Sequence, residues 1–275
     1  MWFPTIWIYL VPFTIETGFW NNPVFWLGLT FVTFPLNYLV YGLNDYNDVS
    51  ADILNKRKGN FLFGANYSKA ELATIPKRIT FVLFPFLILF TMLAGWKMFF
   101  LLLFMILINI SYNFRPFRFK ERPPFEIFIQ VGYVFTAFFS IVLNDLEMLP
   151  WQTIVYLSLF AFQAHIAGEI MDIEPDLAAQ KRTTATLIGR RKTKYLMLFL
   201  LISEVFIMYF WFDDLVLAGF LAVFSVWLLI DVFFIFKGNP YSLEQMKFFG
   251  IAMNISAILS MIWVLYSGKL LHPNF

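Results

Sequence analysis

ITFVLFPFLILFTMLAGWKMFFLLLFMILINISYN, residues 79–113, contains a single charged side chain, Lys97. A bilayer core of ~30 Å asks for about 20 apolar residues per helical crossing, somewhat fewer inside a bundle. The stretch therefore reads as two crossings, about 79–95 and 97–113, with Lys97 between them. Working outward, comparable runs lie at about 4–19, 23–43, 125–143, 150–171, 194–211, 214–236 and 246–267. Nine such runs predict an all-α, polytopic membrane bundle of nine transmembrane helices. The composition agrees: 60% of residues are hydrophobic and 14% charged, against about 25% charged in soluble domains. No polar linker is long enough to separate two soluble units, so residues 1–275 are expected to form one transmembrane domain.

Charge gives the orientation. Lysine and arginine concentrate on the cytoplasmic side of membrane proteins. The loops after the second, fourth, sixth and eighth runs hold eighteen of the 20 Lys and Arg, leaving only Lys97 and Lys269 on the other side. The amino terminus is thus expected in the cytoplasm and the carboxyl terminus outside. The first run lacks a basic leader and a small-residue cleavage site, so it reads as a retained helix rather than a signal peptide. The chain has no cysteine, which excludes disulfides and thiolate metal sites. Its basic residues are local to loops, which argues against a nucleic-acid surface.

Two acidic sets punctuate the cytoplasmic ends of the second and sixth runs. NDYNDVSAD carries Asp45, Asp48 and Asp52; GEIMDIEPD carries Glu169, Asp172 and Asp176. An offset of 124 positions maps each acid of the first set onto one of the second, and Arg57 and Lys58 onto Lys181 and Arg182. The regularity raises the hypothesis of an internal duplication. The spacing i, i+3, i+7 lines one face of a helix with three carboxylates, although Pro175 is expected to kink the second set. Carboxylates on one face repel unless a cation stands between them, and hard divalent ions prefer oxygen ligands. The loops 53–78 and 173–194 are basic and polar, and are expected to cap the acids from the cytoplasmic side. In the first, Ser68 and Glu71 form a capping box for a short helix ending before Pro76. Acids at a membrane edge beside basic loops suit a diphosphate whose tail enters the membrane. A transporter would more usually place acids near the midplane.

NDYNDVSAD with its downstream Arg57 resembles the first Asp-rich motif of the UbiA superfamily of intramembrane prenyltransferases. Asp172, Asp176, Arg182, Thr183 and Thr184 fall where that superfamily carries its second, and YNFRPFRFKERPP, Tyr112 to Pro124, resembles its loop after the fourth span. There are departures: Glu169 stands where some subfamilies have Asp, Gln180 replaces a frequent Gly, and the opening segment lacks an Arg-Pro start. HIAGEIMDIEPDLAAQKRTTATLIG and DILNKRKG are most similar to the carotenoid-modifying branch, the lycopene elongases.

The resemblance implies Mg²⁺, two ions, held by Asp45, Asp48, Asp52, Glu169, Asp172 and Asp176 with Asn44, binding a prenyl diphosphate. It implies contacts to that diphosphate from Lys56, Arg57, Tyr112, Arg118, Lys120, Lys181 and Arg182, with Asp48, Asp172 and Lys120 central to catalysis. It also implies a multi-pass protein of a prokaryotic plasma membrane with its active site on the cytoplasmic side. On the acceptor side, His165 lies one turn before Glu169, and Asp231 and Glu204 lie within later runs, as proton acceptors or as interhelical hydrogen-bonding groups. The residues leave open a polyene, quinone, chlorophyll-type or lipid acceptor, a terpene cyclisation using the same ionisation, and, more remotely, a non-enzymatic transporter.

Overall fold

The computed structural model describes residues 3–59, 63–64 and 67–274. Helix α1 (Phe3–Leu10) leads through short 3₁₀ turns to α2 (Pro23–Thr33), α3 (Pro35–Asn47) and the single turn α4 (Val49–Asp52). The long α5 (Lys69–Asn113) is followed by a 3₁₀ turn at Phe119–Glu121, then α6 (Phe125–Phe128), a 3₁₀ stretch at Ile129–Val134 and α7 (Phe135–Asn144). The remaining helices are α8 (Trp151–Ala178), α9 (Thr184–Ile188), α10 (Arg190–Phe210), α11 (Leu215–Phe233) and α12 (Leu243–Ser267).

Among the described residues, seven helical segments are long and apolar enough to cross a membrane: Pro23–Asn47, Ala70–Asn113, Phe125–Asn144, Trp151–Ala178, Arg190–Phe210, Leu215–Phe233 and Leu243–Ser267. Two features separate this from the nine expected crossings. Run 4–19 is not one helix: α1 stops at Leu10, because the residue ahead of Pro12 is driven out of helical geometry. Runs 79–95 and 97–113 are joined in α5, but Gly95 interrupts it with φ 74° and ψ −169°, a conformation almost confined to glycine. The chain reverses there. Leu83 and Leu87 line one small cavity together with Leu102, Met105 and Ile106, whereas a straight helix would set Leu83 and Ile106 about 35 Å apart.

The Ser68–Glu71 capping box forms, with the Ser68 N–H donating to Glu71 at 2.8 Å and the Glu71 N–H to Ser68 Oγ at 3.3 Å. The helix it opens does not end before Pro76, as expected, but continues through Pro76 and Pro85. A buried stripe of Leu72, Ile75, Ile79 and Leu83 holds the arm in the core, and that packing outweighs the hydrogen bonds the prolines remove. At the α2–α3 junction, Pro35 also frees backbone carbonyls. Asn37 Nδ2 donates to Val32 O at 3.0 Å and Thr33 O at 3.1 Å, and the Thr5 hydroxyl donates to Val32 O at 3.1 Å. Irregular backbone persists at membrane depth only where such partners exist.

Four apolar clusters among the described residues hold the helices together, and two of them are large. Tyr9, Phe13, Phe25, Phe31, Phe90 and Phe139 join α1, α2, α5 and α7, with Phe90 and Phe139 packed edge to face at 5.1 Å. Gly28 belongs to this contact, since a Cβ there would lie 2.4 Å from the Tyr9 hydroxyl. Trp7, Tyr156, Met208, Phe212 and Leu217 join α1 to α8, α10 and α11. Phe81, Met92 and Phe248 face outward, as lipid permits because tails are as apolar as the side chains.

Candidate functional site

α3 delivers Asn44 and Asp45, and α4 delivers Asp52. Asp48 lies between them at φ −106° and ψ 13°, outside helical geometry. The first acidic set is thus split, while the second rides on α8, which passes unbroken through Pro175. This reverses the expected asymmetry. Pro175 removes the N–H that would bond the Met171 carbonyl, but it lies in the last turn of α8, which ends three residues later.

The two sets face one cavity of about 330 Å³, lined by Asp48, Asp52, Glu169, Asp172 and Asp176. Asn44, Arg57, Lys58, Tyr112, Lys120, His165 and Lys181 complete its polar wall. Basic side chains stand among the acids. Lys58 Nζ lies 2.6 Å from Asp45 and 3.2 Å from Asp52. Lys181 Nζ lies 2.9 Å from Asp48 and 3.5 Å from Asp176. Lys120 also pairs with Asp48, and accepts direction from Asn113, to whose Oδ1 it donates at 3.2 Å. Arg57 pairs with Asp172, which receives a second bond from Asn55 Nδ2 at 2.7 Å. The pairing is reciprocal: Arg57, nine residues after Asp48, holds Asp172, and Lys181, nine residues after Asp172, holds Asp48.

These neighbours set the charge states at the mouth. Burial alone would raise the Asp48 carboxyl, but Lys120 and Lys181 outweigh it and hold Asp48 below the usual carboxylate range. Burial would lower Lys181, yet Asp48 and Asp176 raise it above an ordinary lysine. Burial pushes the Asp52 carboxyl up to about 6, opposed by Lys58 and assisted by Asp45 and Asp48.

The donor set is carboxylate oxygen throughout, which suits Mg²⁺. As they stand, no three acids among the described residues are gathered tightly enough to hold one ion. The residues nevertheless fit a divalent cation, because the ammoniums of Lys58 and Lys181 mark two points where a positive charge is already shared by two carboxylates.

Several expected residues take other positions. Lys56 and Arg182 are exposed and do not line the cavity; Lys58, absent from the expected diphosphate contacts, occupies the mouth instead. Arg118 pairs with Glu121 at 2.7 Å. Asp231 lies away from the cavity, bound to Lys194 at 2.7 Å and to the Tyr241 hydroxyl at 2.5 Å. Glu204 is fully buried outside the cavity and neither oxygen has a hydrogen-bond partner. Glu169 pairs with no lysine or arginine: Oε2 accepts the Ala185 N–H at 3.0 Å, and Oε1 stands 3.0 Å from His165 Nε2.

Sequence reading also missed Glu126, which accepts the Thr184 N–H at 2.6 Å and fixes the start of α9 beside Glu169. A lone acid opening an apolar run, in FEIF, was its only signal. Below the acids, the cavity continues between Leu36, Val40, Tyr41, Met105, Ile108 and Tyr133, with the Tyr41 and Tyr133 hydroxyls hydrogen-bonded. The site therefore joins a charged mouth to an apolar, aromatic floor.

Solved structures share this fold. A UbiA homolog from Archaeoglobus fulgidus bound to DMAPP and Mg²⁺ superposes with a TM-score of 0.66 at 15% identity, covering 96% of this chain and 95% of that one. The same homolog bound to GPP and Mg²⁺ gives 0.62. Among curated proteins, the lycopene elongase/hydratase of Corynebacterium glutamicum is 31% identical over 175 residues, 61% of this chain and 59% of that protein. The lycopene elongase/hydratase of Haloarcula japonica is 27% identical over 171 residues, 60% and 55% of the two chains. The chain thus spans less than two thirds of the length of these relatives. The model of the UbiA prenyltransferase family matches residues 1–265, and the chain belongs to that family.

Proposed function

We propose that this protein transfers a prenyl group from a prenyl diphosphate to an apolar acceptor held in the membrane. The observation that carries the reading is the cavity itself: two acidic sets and four interleaved cations at its mouth, and hydrocarbon and tyrosine below. The geometry suits a substrate with a polyanionic head and an apolar tail. The relatives named lycopene elongase/hydratase support a polyene acceptor and a five-carbon donor. In this reading the two arms of α5 cross the membrane separately, α1 is a short first element that does not span it by itself, and the mouth lies on the cytoplasmic side.

Asp45, Asp48, Asp52, Asp172 and Asp176 would hold Mg²⁺, with Asn44 beside them; Glu169 is left out because Oε2 serves Ala185 and Oε1 faces His165. When bound, Mg²⁺ supplies charge stabilisation for a leaving diphosphate. Lys58, Lys120, Lys181 and Arg57 turn their N–H groups from the aspartates toward the phosphate oxygens. They favour departure of the diphosphate because its charge grows as the C–O bond breaks. Tyr41, Tyr112 and Tyr133 present ring faces to the allylic cation, and the apolar floor keeps water from it.

The test is diphosphate release by purified protein in lipid with Mg²⁺ and labelled dimethylallyl or geranyl diphosphate, with and without lycopene. Release that needs the acceptor supports transfer. Release without it, yielding a cyclic hydrocarbon, would replace the reading with a cyclase. Asp48→Asn and Asp172→Asn should each lower turnover by roughly 10²–10³; the amide keeps an acceptor for Lys120, Lys181 and Arg57, and so limits the cost of leaving those cations unpaired.

A further inference from the structure

His165 and Glu169 stand apart from the ion pairs at the mouth. Asp45, Asp48, Asp52, Asp172 and Asp176 each have a lysine or arginine partner. Glu169 has none. It is 6% exposed, and only its Oε2 is engaged, by the Ala185 N–H. Its Oε1 and His165 Nε2 are 3.0 Å apart, yet out of line for a hydrogen bond, so both atoms are buried without a partner.

Both residues line the cavity, and the Tyr112 ring stands edge-on to the imidazole at 6.4 Å. His165 precedes Asp172 by seven residues on α8, which sets it about 10 Å deeper along the helix axis. It thus lies between the acidic mouth and the floor made by Met105 and Ile108. A donor whose diphosphate is held at the mouth presents its allylic carbon in that interval.

We propose that the His165–Glu169 pair accepts the proton that ends the reaction, and thereby decides whether the product is an alkene or an alcohol. The proposal rests on the transfer reading above. The donor's C1–O bond breaks with its electron pair on the diphosphate. The acceptor's π pair forms the new C–C bond, leaving a cation on the acceptor's next carbon. Loss of an adjacent C–H proton to the pair, with those electrons closing a C=C bond, gives an alkene. If no base is placed there, water adds to the cation, its proton passes to bulk water, and the product is an alcohol.

Competing bases in the cavity are poorer. The aspartates are neutralised by their cations, and the phenols of Tyr41, Tyr112 and Tyr133 are weak bases at neutral pH. Histidine is the side chain that most often serves as a general base, and here a carboxylate stands behind it.

The experiment uses full-length protein in lipid with Mg²⁺, dimethylallyl diphosphate and lycopene in H₂¹⁸O. Wild type, His165→Gln and His165→Ala are compared for diphosphate release and for the alkene-to-alcohol ratio by mass spectrometry. Expected is release within about tenfold of wild type, with the ratio lowered roughly 10²-fold, the low end for loss of a general base, and ¹⁸O in the alcohol. An unchanged ratio and rate in both variants would overturn the assignment in favour of the departing diphosphate as base. Loss of release in both variants, with the residual product still alkene, would overturn it in favour of a role in donor binding. A wild type that gives only alcohol also overturns it. Failure of the wild type to release diphosphate with any acceptor sinks the transfer reading itself, an outcome distinct from the others.

Discussion

Asp52 shows how the site stores an opposing balance in one side chain. Burial and the neighbouring Asp45 and Asp48 favour its proton, Lys58 favours its charge, and the result is a carboxyl raised to about 6. A cation binds the ionised form, so the proton competes with it below that pH. Affinity for Mg²⁺ should therefore hold above about pH 6.5 and weaken roughly in proportion to proton concentration toward pH 5. Calorimetric titration of Mg²⁺ across that range checks this, and Asp52→Asn should make the profile shallower. Lys58 itself was hard to read from sequence. NKRKG offers three successive basic residues in a loop, where no helical period says which faces inward. Asn55 decides it: its side chain accepts the Arg57 N–H at 3.0 Å while donating to Asp172. That fold of the backbone turns Arg57 and Lys58 to the acids and leaves Lys56 exposed. The acids were legible from helix spacing, and Lys120 and Lys181 from the motif segments that resemble the family's; a loop's conformation has no comparable signal.

At the scale of elements, membrane-length apolar runs were readable because hydropathy reports directly on the solvent around each helix. Their ends were not, since caps, prolines and breaks are decided by packing. Pro76 and Pro85 stop nothing inside α5, whereas Gly95 reverses it. Gly95→Ala forces a side chain into a backbone region that only glycine occupies readily. It should cost about 1–3 kcal/mol, seen as a lower unfolding temperature in detergent with Mg²⁺ binding per folded molecule preserved. α9 makes the opposite case, a five-residue helix fixed by a Thr183–Thr186 capping box and by acids from elsewhere. Glu126 accepts from the Thr184 N–H and hydroxyl, and Glu169 from the Ala185 N–H. Glu126→Ala leaves those buried donors unpaired and should cost about 1–3 kcal/mol. Because α9 anchors the loop that carries Lys181, donor KM should rise as well; an unaltered KM would confine Glu126 to stability alone.

Across the whole molecule, the 124-residue offset becomes a pairing rule. Arg57 and Lys181 are equivalent positions, and each holds the middle acid of the other set. The equivalence then fails in one place. Asp45 is held by Lys58, but Arg182, the equivalent of Lys58, is exposed, and Glu169, the equivalent of Asp45, is left to His165. Tyr41 and His165 are themselves equivalent, so one half offers a phenol and the other an imidazole to the same cavity. The near-symmetry also makes a prediction about binding order. Five aspartates and four basic side chains leave the mouth with one negative charge. A diphosphate of about three negative charges entering alone would meet net repulsion, and Mg²⁺ entering alone would meet four resident cations. Entering together, the positive charge of the metal offsets the diphosphate and the residual charge. Mg²⁺ and diphosphate should therefore each tighten the other's binding, by the same factor in both directions, roughly 5–150-fold. Calorimetry of Mg²⁺ with and without inorganic pyrophosphate, and the reverse titration, measures both arms. Lys58→Met and Lys181→Met should raise the affinity for Mg²⁺ alone and shrink the coupling, because each removes a cation that the metal must displace. Equal Mg²⁺ affinity with and without pyrophosphate would mean that the lysines are fixed structural partners of the aspartates rather than counter-ions exchanged on binding.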